Sequence, residues 1–376
     1  MQALILAGGE GTRLRPLTLT RPKPAIQLVD RPFLRHMIDW VAQHGVDEVV
    51  IASGFRADAL QAAIGEHGGA DVHILYLRER DPLGTAGPLR LAADEGLLRE
   101  RFLVLNGDVL ADLDLSALLR AHEERDAIAT LALYAVENPS AYGLVRRAAG
   151  PQAPGGRPAS PAGEVVEFVE KPEPAEVETD EISAGAYVLD RRVIELIPPE
   201  RMVSIEREVF PRLVGEALYG QRLEGYWMDV GTPERYLQAS WDILEGRVRS
   251  KAAARFDRDG LLLEEGARQD LTATVVPPAV LGPGAAVGAK ATVGPRAVIG
   301  ATTEIGEGAE VSGSVVMEGS RVGPQARVRG AILGPDVTLE EGARIEPGSV
   351  VGERARIEAE VRIGERARIH PGETIS

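Results

Sequence analysis

Cysteine is absent from this 376-residue chain, which excludes disulfides and thiolate metal sites. The six histidines, at 36, 44, 67, 73, 122 and 370, show no metal-ligand spacing and read as surface or packing residues. No apolar run approaches the ~20 residues of a membrane span. The apolar start, Ala3 to Ala7, is too short for a signal-peptide core and lacks a basic flank, so the expected location is the cytoplasm. Net positive charge is missing as well. At −15 the chain has no surplus of cations for a nucleic-acid or anionic-membrane face. Any phosphate it binds must be held by a few local cations and by backbone amides. Asparagine occurs only at 106 and 138, a depletion that fits a thermophile or a GC-rich genome equally. Lysine is nearly as rare: Lys23, Lys171, Lys251 and Lys290 are four of 42 basic residues.

What the chain does contain falls into two periods. Through residue 245, short apolar runs (3–7, 48–53, 73–77 and 102–108) alternate with amphipathic stretches (33–45, 57–68 and 86–98). Strands alternating with helices of this length predict βαβ units and a Rossmann-like, mixed but mostly parallel sheet. In such a sheet the site lies at the carboxyl ends of the strands. A Pro/Gly/Ala segment, 148–164, has no periodicity and is expected to be a mobile loop between two strands.

After residue 271 the period becomes six. Aliphatic residues recur at 281, 287, 293, 299, 305 and 311, at 316, 322 and 328, and from 333 to 375. Only the steps 311 to 316 and 328 to 333 are five residues long. Most anchors precede glycine, as in VGAKAT and IGEGAE. This pattern marks a parallel β-helix, each hexapeptide forming one face of a triangular coil. The expected domains are therefore 1–245, a junction at 246–270, and a β-helix over 271–376. Its open ends and flat faces predict a homo-oligomer.

The first apolar run opens into LILAGGEGTRLRPLTLTRPKPAI, residues 4–26. Glycines after a strand let backbone amides approach a phosphate chain, and Arg13 adds a fixed cation. No Gly-Lys-Ser/Thr follows, so this is not a P-loop, and the spacing is wrong for a dinucleotide fingerprint. With Gly8, Gly9, Gly11, Thr12, Arg13 and Pro22-Lys23-Pro24, the stretch resembles the signature of sugar-1-phosphate nucleotidyltransferases. Four further segments match that family: Asn106-Gly107-Asp108, Tyr142-Gly143, Phe168-Val169-Glu170-Lys171-Pro172, and Asp229 in YWMDVGTPERY. PLGTAGPL (82–89), SIEREVFP (204–211) and the WMDVGTPERY stretch look most like the mannose-1-phosphate guanylyltransferases of that family, in which a C-terminal left-handed β-helix is frequent.

The resemblance implies transfer of a nucleotidyl group to a sugar 1-phosphate with release of pyrophosphate, assisted by Mg²⁺ on Asp108 and Asp229. It implies Arg13 on the β- and γ-phosphates, Lys23 on the α-phosphate and Lys171 on the sugar phosphate. Nucleotide contacts are expected from Leu6, Ala7, Gly8, Gly9, Gly11, Thr12, Glu79, Gly84 and Thr85. Sugar-phosphate contacts are expected from Gly143, Glu170, Lys171 and Ser183. At Ser183 the chain departs from the family's usual Asn, which alters one sugar contact. Glu79 stands where thymidylyltransferases carry Gln. A carboxylate accepts hydrogen bonds and donates none, which suits the adjacent N1 and N2 donors of guanine and predicts GTP. A thymidylyl- or uridylyltransferase acting on glucose 1-phosphate remains the alternative within the class, and a regulatory nucleotide-sugar-binding subunit the alternative outside it. Lysine is a compact point charge that sits against one phosphate oxygen, a reason for Lys23 and Lys171 to persist amid arginine.

Overall fold

The computed structural model describes residues 1–66, 72–148, 163–170 and 179–376. They form two compact units that do not follow the boundary expected at 245. The first comprises Met1–Gly9, Met37–Ala57 and Gly65–Trp227; the second comprises Glu10–His36, Asp58–Ile64 and Met228–Ser376.

The first unit is built on a nine-stranded mixed sheet. Strands His73–Arg78, Glu48–Ser53, Gln2–Leu6 and Arg101–Asn106 lie side by side and parallel. Glu181–Asp190 then pairs antiparallel with Arg101–Asn106. Ala129–Ala135 and Leu218–Arg222 extend the sheet from Glu181–Asp190, and Gly143–Arg147 pairs antiparallel with Val165–Glu170. Ala3, Leu4 and Ile5 are wholly buried, as the central strand of a sheet covered on both faces requires. The order of the parallel strands reverses direction at Gln2–Leu6, between neighbours Glu48–Ser53 and Arg101–Asn106. That reversal is the topological switch point at which open α/β sheets bind ligands. The loop expected at 148–164 lies outside the described residues from 149 to 162.

In the second unit, residues from Leu261 onward wind into three parallel sheets of seven, seven and six strands, consistent with a left-handed β-helix. Partner strands are 18 residues apart, as in Ala279 opposite Ala297. The coils from Val298 to Val315 and from Val315 to Ile332 take 17, which accounts for the two five-residue steps. The aliphatic anchors stack inside with alanines two positions ahead of many of them. Where Ser or Thr replaces that alanine, its hydroxyl joins adjacent coils: Ser320 Oγ donates to the Gly334 carbonyl (3.0 Å) and accepts from the Val337 amide (3.1 Å). The first strand, Leu261–Leu263, stacks on Ala279–Leu281, so the β-helix begins within the segment expected to be a junction.

The Glu10–His36 segment belongs to this same unit. Asp30 lies at its centre, its carboxylate almost fully buried and paired with Arg31 (2.7 Å) and Arg255 (2.8 Å). Arg255 also reaches Glu264 (2.7 Å). Burial pushes the Asp30 carboxyl up, but hydrogen bonds and charge from Arg31, His36 and Arg255 outweigh it and hold it below the usual carboxylate range. Helix Pro233–Leu244, capped by Thr232, sends the buried Tyr236 hydroxyl to the Gln27 carbonyl. Among the described residues no helix is long and apolar enough to cross a membrane.

Candidate active site

In the first unit the site grows from the ends of the two strands that flank the switch point. The Gly107 amide donates to the Leu6 carbonyl (2.9 Å), and a Cβ at Gly107 would lie 2.3 Å from that oxygen. Only glycine permits this approach, so the Asn-Gly-Asp turn is fixed against Leu6 and Ala7 with Asp108 half-buried beside it. Gly8 is constrained from the other side. A Cβ there would lie 2.6 Å from a carboxylate oxygen of Glu79, which is 8% exposed. The Glu79 amide donates to the Ser53 carbonyl, and its carboxylate accepts from the Leu83 amide at 3.4 Å. Burial pushes this carboxyl above its ordinary value, the Leu83 amide only partly opposing it. At Gly9 a Cβ would meet nothing within 4 Å, so no protein atom demands glycine there.

Gly84 and Thr85 are brought against a segment the sequence did not connect with them. Gly84 has φ +76° and its Cβ would lie 2.5 Å from the Val203 carbonyl oxygen. The Thr85 hydroxyl donates to Glu206 (2.7 Å) and accepts from the Ile205 amide (2.8 Å). PLGTAGPL and SIEREVFP are thus the two sides of one clasp. Glu206 was not among the expected site residues, although it lies within SIEREVFP.

Ser183 sits where the pairing of Glu181–Asp190 with Ala129–Ala135 shifts register between Ser183 and Tyr187. Such irregularities re-aim side chains beside binding sites. Its hydroxyl lies 3.4 Å from the Tyr187 hydroxyl and 3.5 Å from the Gly185 amide. Gly185, at φ +69°, leaves room for Asn106, whose amide nitrogen would be 2.8 Å from a Cβ. Trp227 donates its indole N–H to the Ala184 carbonyl (2.8 Å) and contacts Tyr142 edge-on, with ring centroids 5.3 Å apart. Tyr142 precedes Gly143, the first residue of its strand. Trp227 was not among the expected site residues. Glu170 ends the strand paired with that of Gly143, and Lys171 lies outside the described residues.

The second unit holds the remaining expected residues. Gly11 adopts a left-handed conformation (φ 61°, ψ 37°), and its Cβ would meet Lys23 Cβ and Thr18 Cγ2 at 3.0 Å each. Its carbonyl accepts from the Thr18 hydroxyl (3.0 Å) and the Leu14 amide (2.9 Å). The glycine turn and the buried Lys23, twelve residues apart in sequence, are therefore neighbours. Thr12 and Arg13 begin the short turn Thr12–Leu14 and are exposed. The Arg13 guanidinium lies against Gly231, where a Cβ would be 2.7 Å from Nη2. This explains the glycine of Asp229-Val230-Gly231-Thr232, another residue not foreseen. Arg235 pairs with the Asp229 carboxylate (3.7 Å) and donates to the Asp229 carbonyl (3.2 Å).

Residues 2–246 match the family model described as nucleotidyl transferase, and residues 275–376 match that of the GMPPB C-terminal domain. The chain belongs to the nucleotidyl transferase family. This nucleotidyl transferase is 37% identical over 285 residues to mannose-1-phosphate guanylyltransferase of Mycobacterium tuberculosis, covering 75% of each chain. It is 40% identical over 244 residues to mannose-1-phosphate guanyltransferase of Yarrowia lipolytica, covering 64% of this chain and 63% of that one. The match thus spans under two thirds of the yeast protein's length. Among solved structures, HddC from Yersinia pseudotuberculosis complexed with GMP-PN is 25% identical, with a TM-score of 0.52 over 64% of this chain and 98% of that one. A putative glucose-1-phosphate thymidylyltransferase from Bacillus anthracis (23% identity, TM-score 0.55, 64% and 94% coverage) shows the same fold.

Among the described residues no group of three or more His, Asp or Glu forms a ready-made metal site.

Proposed function

We propose that this protein transfers GMP from GTP to mannose 1-phosphate, yielding GDP-mannose and pyrophosphate. Glu79 carries the choice of nucleotide. It is a buried, acceptor-only side chain against Gly8, with one long hydrogen bond, to a backbone amide, among the described residues. Guanine presents adjacent N1 and N2 donors to such a group, whereas thymine and uracil present an acceptor beside a donor. The names of the relatives and the GMP-PN complex of HddC support the same reading.

In this reading an oxygen of the sugar phosphate attacks the α-phosphorus. A new P–O bond forms as the bond from the α-phosphorus to the α,β-bridging oxygen breaks, and pyrophosphate leaves with that oxygen. The nucleophile is already anionic, so no general base is required, and rate comes from positioning and charge neutralisation. Lys23 holds the α-phosphate and Arg13 the β- and γ-phosphates. Backbone of Leu6 to Gly9 and of Gly11 to Thr12 lines the phosphate chain, and open space at Gly9 lets it approach. Gly84 and Thr85 shape the nucleotide pocket through their clasp on residues 203–206. Gly143, Glu170 and Ser183 meet the sugar, and Lys171 its phosphate. Asp108 and Asp229 would hold Mg²⁺, which would supply neutralisation of the charge on the reacting phosphates.

Pyrophosphate release measured over four nucleoside triphosphates with mannose 1-phosphate and glucose 1-phosphate tests this directly. Highest kcat/KM for GTP with mannose 1-phosphate is expected. Inertness of that pair would overturn the reading, in favour of thymidylyl or uridylyl transfer if another pair turns over, or of a binding subunit if none does. Self-association through the β-helix belongs to the same proposal, and a monomer in sedimentation equilibrium would overturn that part.

A further inference from the structure

The segment that carries Lys23 is fastened to the β-helix two residues earlier. Arg21 Nη1 lies 2.6 Å from Glu318 Oε1, and its Nε lies 3.9 Å from Glu353 Oε2. These carboxylates stand at one corner of the β-helix, two coils apart. The Asp336 amide donates to the Glu318 carbonyl (3.0 Å) and the Arg354 amide to the Pro335 carbonyl (2.9 Å), so Glu318, Pro335 and Glu353 form a column. Both backbones are fixed by the neighbouring coils, Gly319 donating to Ala301 and Gly372 to Glu353. The other Glu318 oxygen, Oε2, is buried with no hydrogen-bond partner among the described residues.

Two features make a purely stabilising role a poor account of this contact. An isolated, partly exposed ion pair contributes little to folding, yet here two carboxylates converge on one guanidinium and one leaves an oxygen buried without a partner. Pro22 and Pro24 flank Lys23 and have no amide N–H, so backbone donors at those positions cannot anchor the loop. Side chains take a larger share of that task, and Arg21 is the one that reaches the β-helix two residues before Lys23.

We infer that Glu318, with Glu353, is a positioning residue: through Arg21 it sets where Lys23 stands, making the β-helix part of the phosphate-binding apparatus. The inference rests on the proposed role of Lys23 at the α-phosphate. It predicts that Glu318→Gln, nearly isosteric, lowers kcat/KM for the nucleotide about tenfold and leaves the KM for the sugar phosphate and the melting temperature unchanged. Glu353→Gln should do the same more weakly. Exchange of the charges in the double variant Arg21→Glu/Glu318→Arg should recover part of the loss. On a Lys23→Ala background Glu318→Gln should have no further effect. Unchanged nucleotide kinetics in Glu318→Gln and Glu353→Gln, or parallel losses for both substrates, would overturn the inference while Lys23→Ala remains impaired. A fully active Lys23→Ala would instead overturn the role of Lys23 itself.

Discussion

In the β-helix a side chain's surroundings recur every six residues, whereas at the ends of the central strands no two residues share an environment. Val293, Val311 and Val328 occupy equivalent places in successive coils and are all buried by the same kinds of neighbour. Gly8, Gly11 and Gly107 are glycines for three separate reasons: a carboxylate, a lysine side chain in a left-handed turn, and a carbonyl oxygen. Repetition spreads stability over many similar contacts. Singularity concentrates function in contacts that have no substitute.

That contrast can be broken by experiment. The largest effect is expected at Asp108: Asp108→Asn should lower turnover about a thousandfold, as losses of groups serving transition-state charge do, with the melting temperature unmoved. Pyrophosphate release and calorimetry on the same preparation decide it, and retained turnover would remove Asp108 from the metal. Ile345→Ala, in the β-helix interior, should do the opposite. A buried isoleucine truncation costs about 3 kcal/mol of stability, visible as a lower denaturant midpoint, while kcat/KM well below the transition stays as it was.

Asp30→Asn probes the tie between the Glu10–His36 segment and Arg255. Because the folded-state carboxyl is held below its unfolded value, its contribution is complete above about pH 4 and disappears as pH falls through the lowered value. The variant should therefore lose about 2 kcal/mol at pH 7 and show a flatter acid limb in urea titrations; equal losses at pH 7 and pH 2.5 would refute the assignment. The smallest change is expected from Glu79→Gln. Its amide can donate as well as accept, so preference for GTP over UTP should fall about tenfold, measured as the ratio of kcat/KM values.

The same contrast explains what was legible in the sequence. The β-helix interior could be read anchor by anchor, down to the two short coils, because each coil repeats the pattern of the last. Its beginning could not. Gln269 occupies an anchor position six residues before Val275, and it is exposed in the terminal coil, where nothing requires an apolar side chain. Strands alternating with helices directed attention to the carboxyl ends, where Leu6 and Asn106 lead into the candidate site, and the Gly11–Lys23 contact gives its signature a steric basis. Membership of Glu10–His36 in the unit of the β-helix was invisible. It rests on contacts between residues hundreds of positions apart with no period to betray them, among them Arg21 with Glu318, Asp30 with Arg255 and Tyr236 with the Gln27 carbonyl. Gly231 and Trp227 lay inside a recognised motif, yet only the Arg13 guanidinium and the Ala184 carbonyl show why they are there.

The corner column of Glu318, Pro335 and Glu353 also makes the coil stack a ruler. Adjacent coils are separated by one strand spacing, about 4.8 Å. Removing or duplicating a single coil between Leu261 and Glu318 would keep every anchor stacked, yet it would carry Glu318 along the axis by that distance and out of reach of Arg21. The next coil is tied in the same way, Arg368 pairing with Glu234 of helix Pro233–Leu244 at 3.6 Å. The number of turns up to that coil is therefore locked in phase with both the loop and the helix.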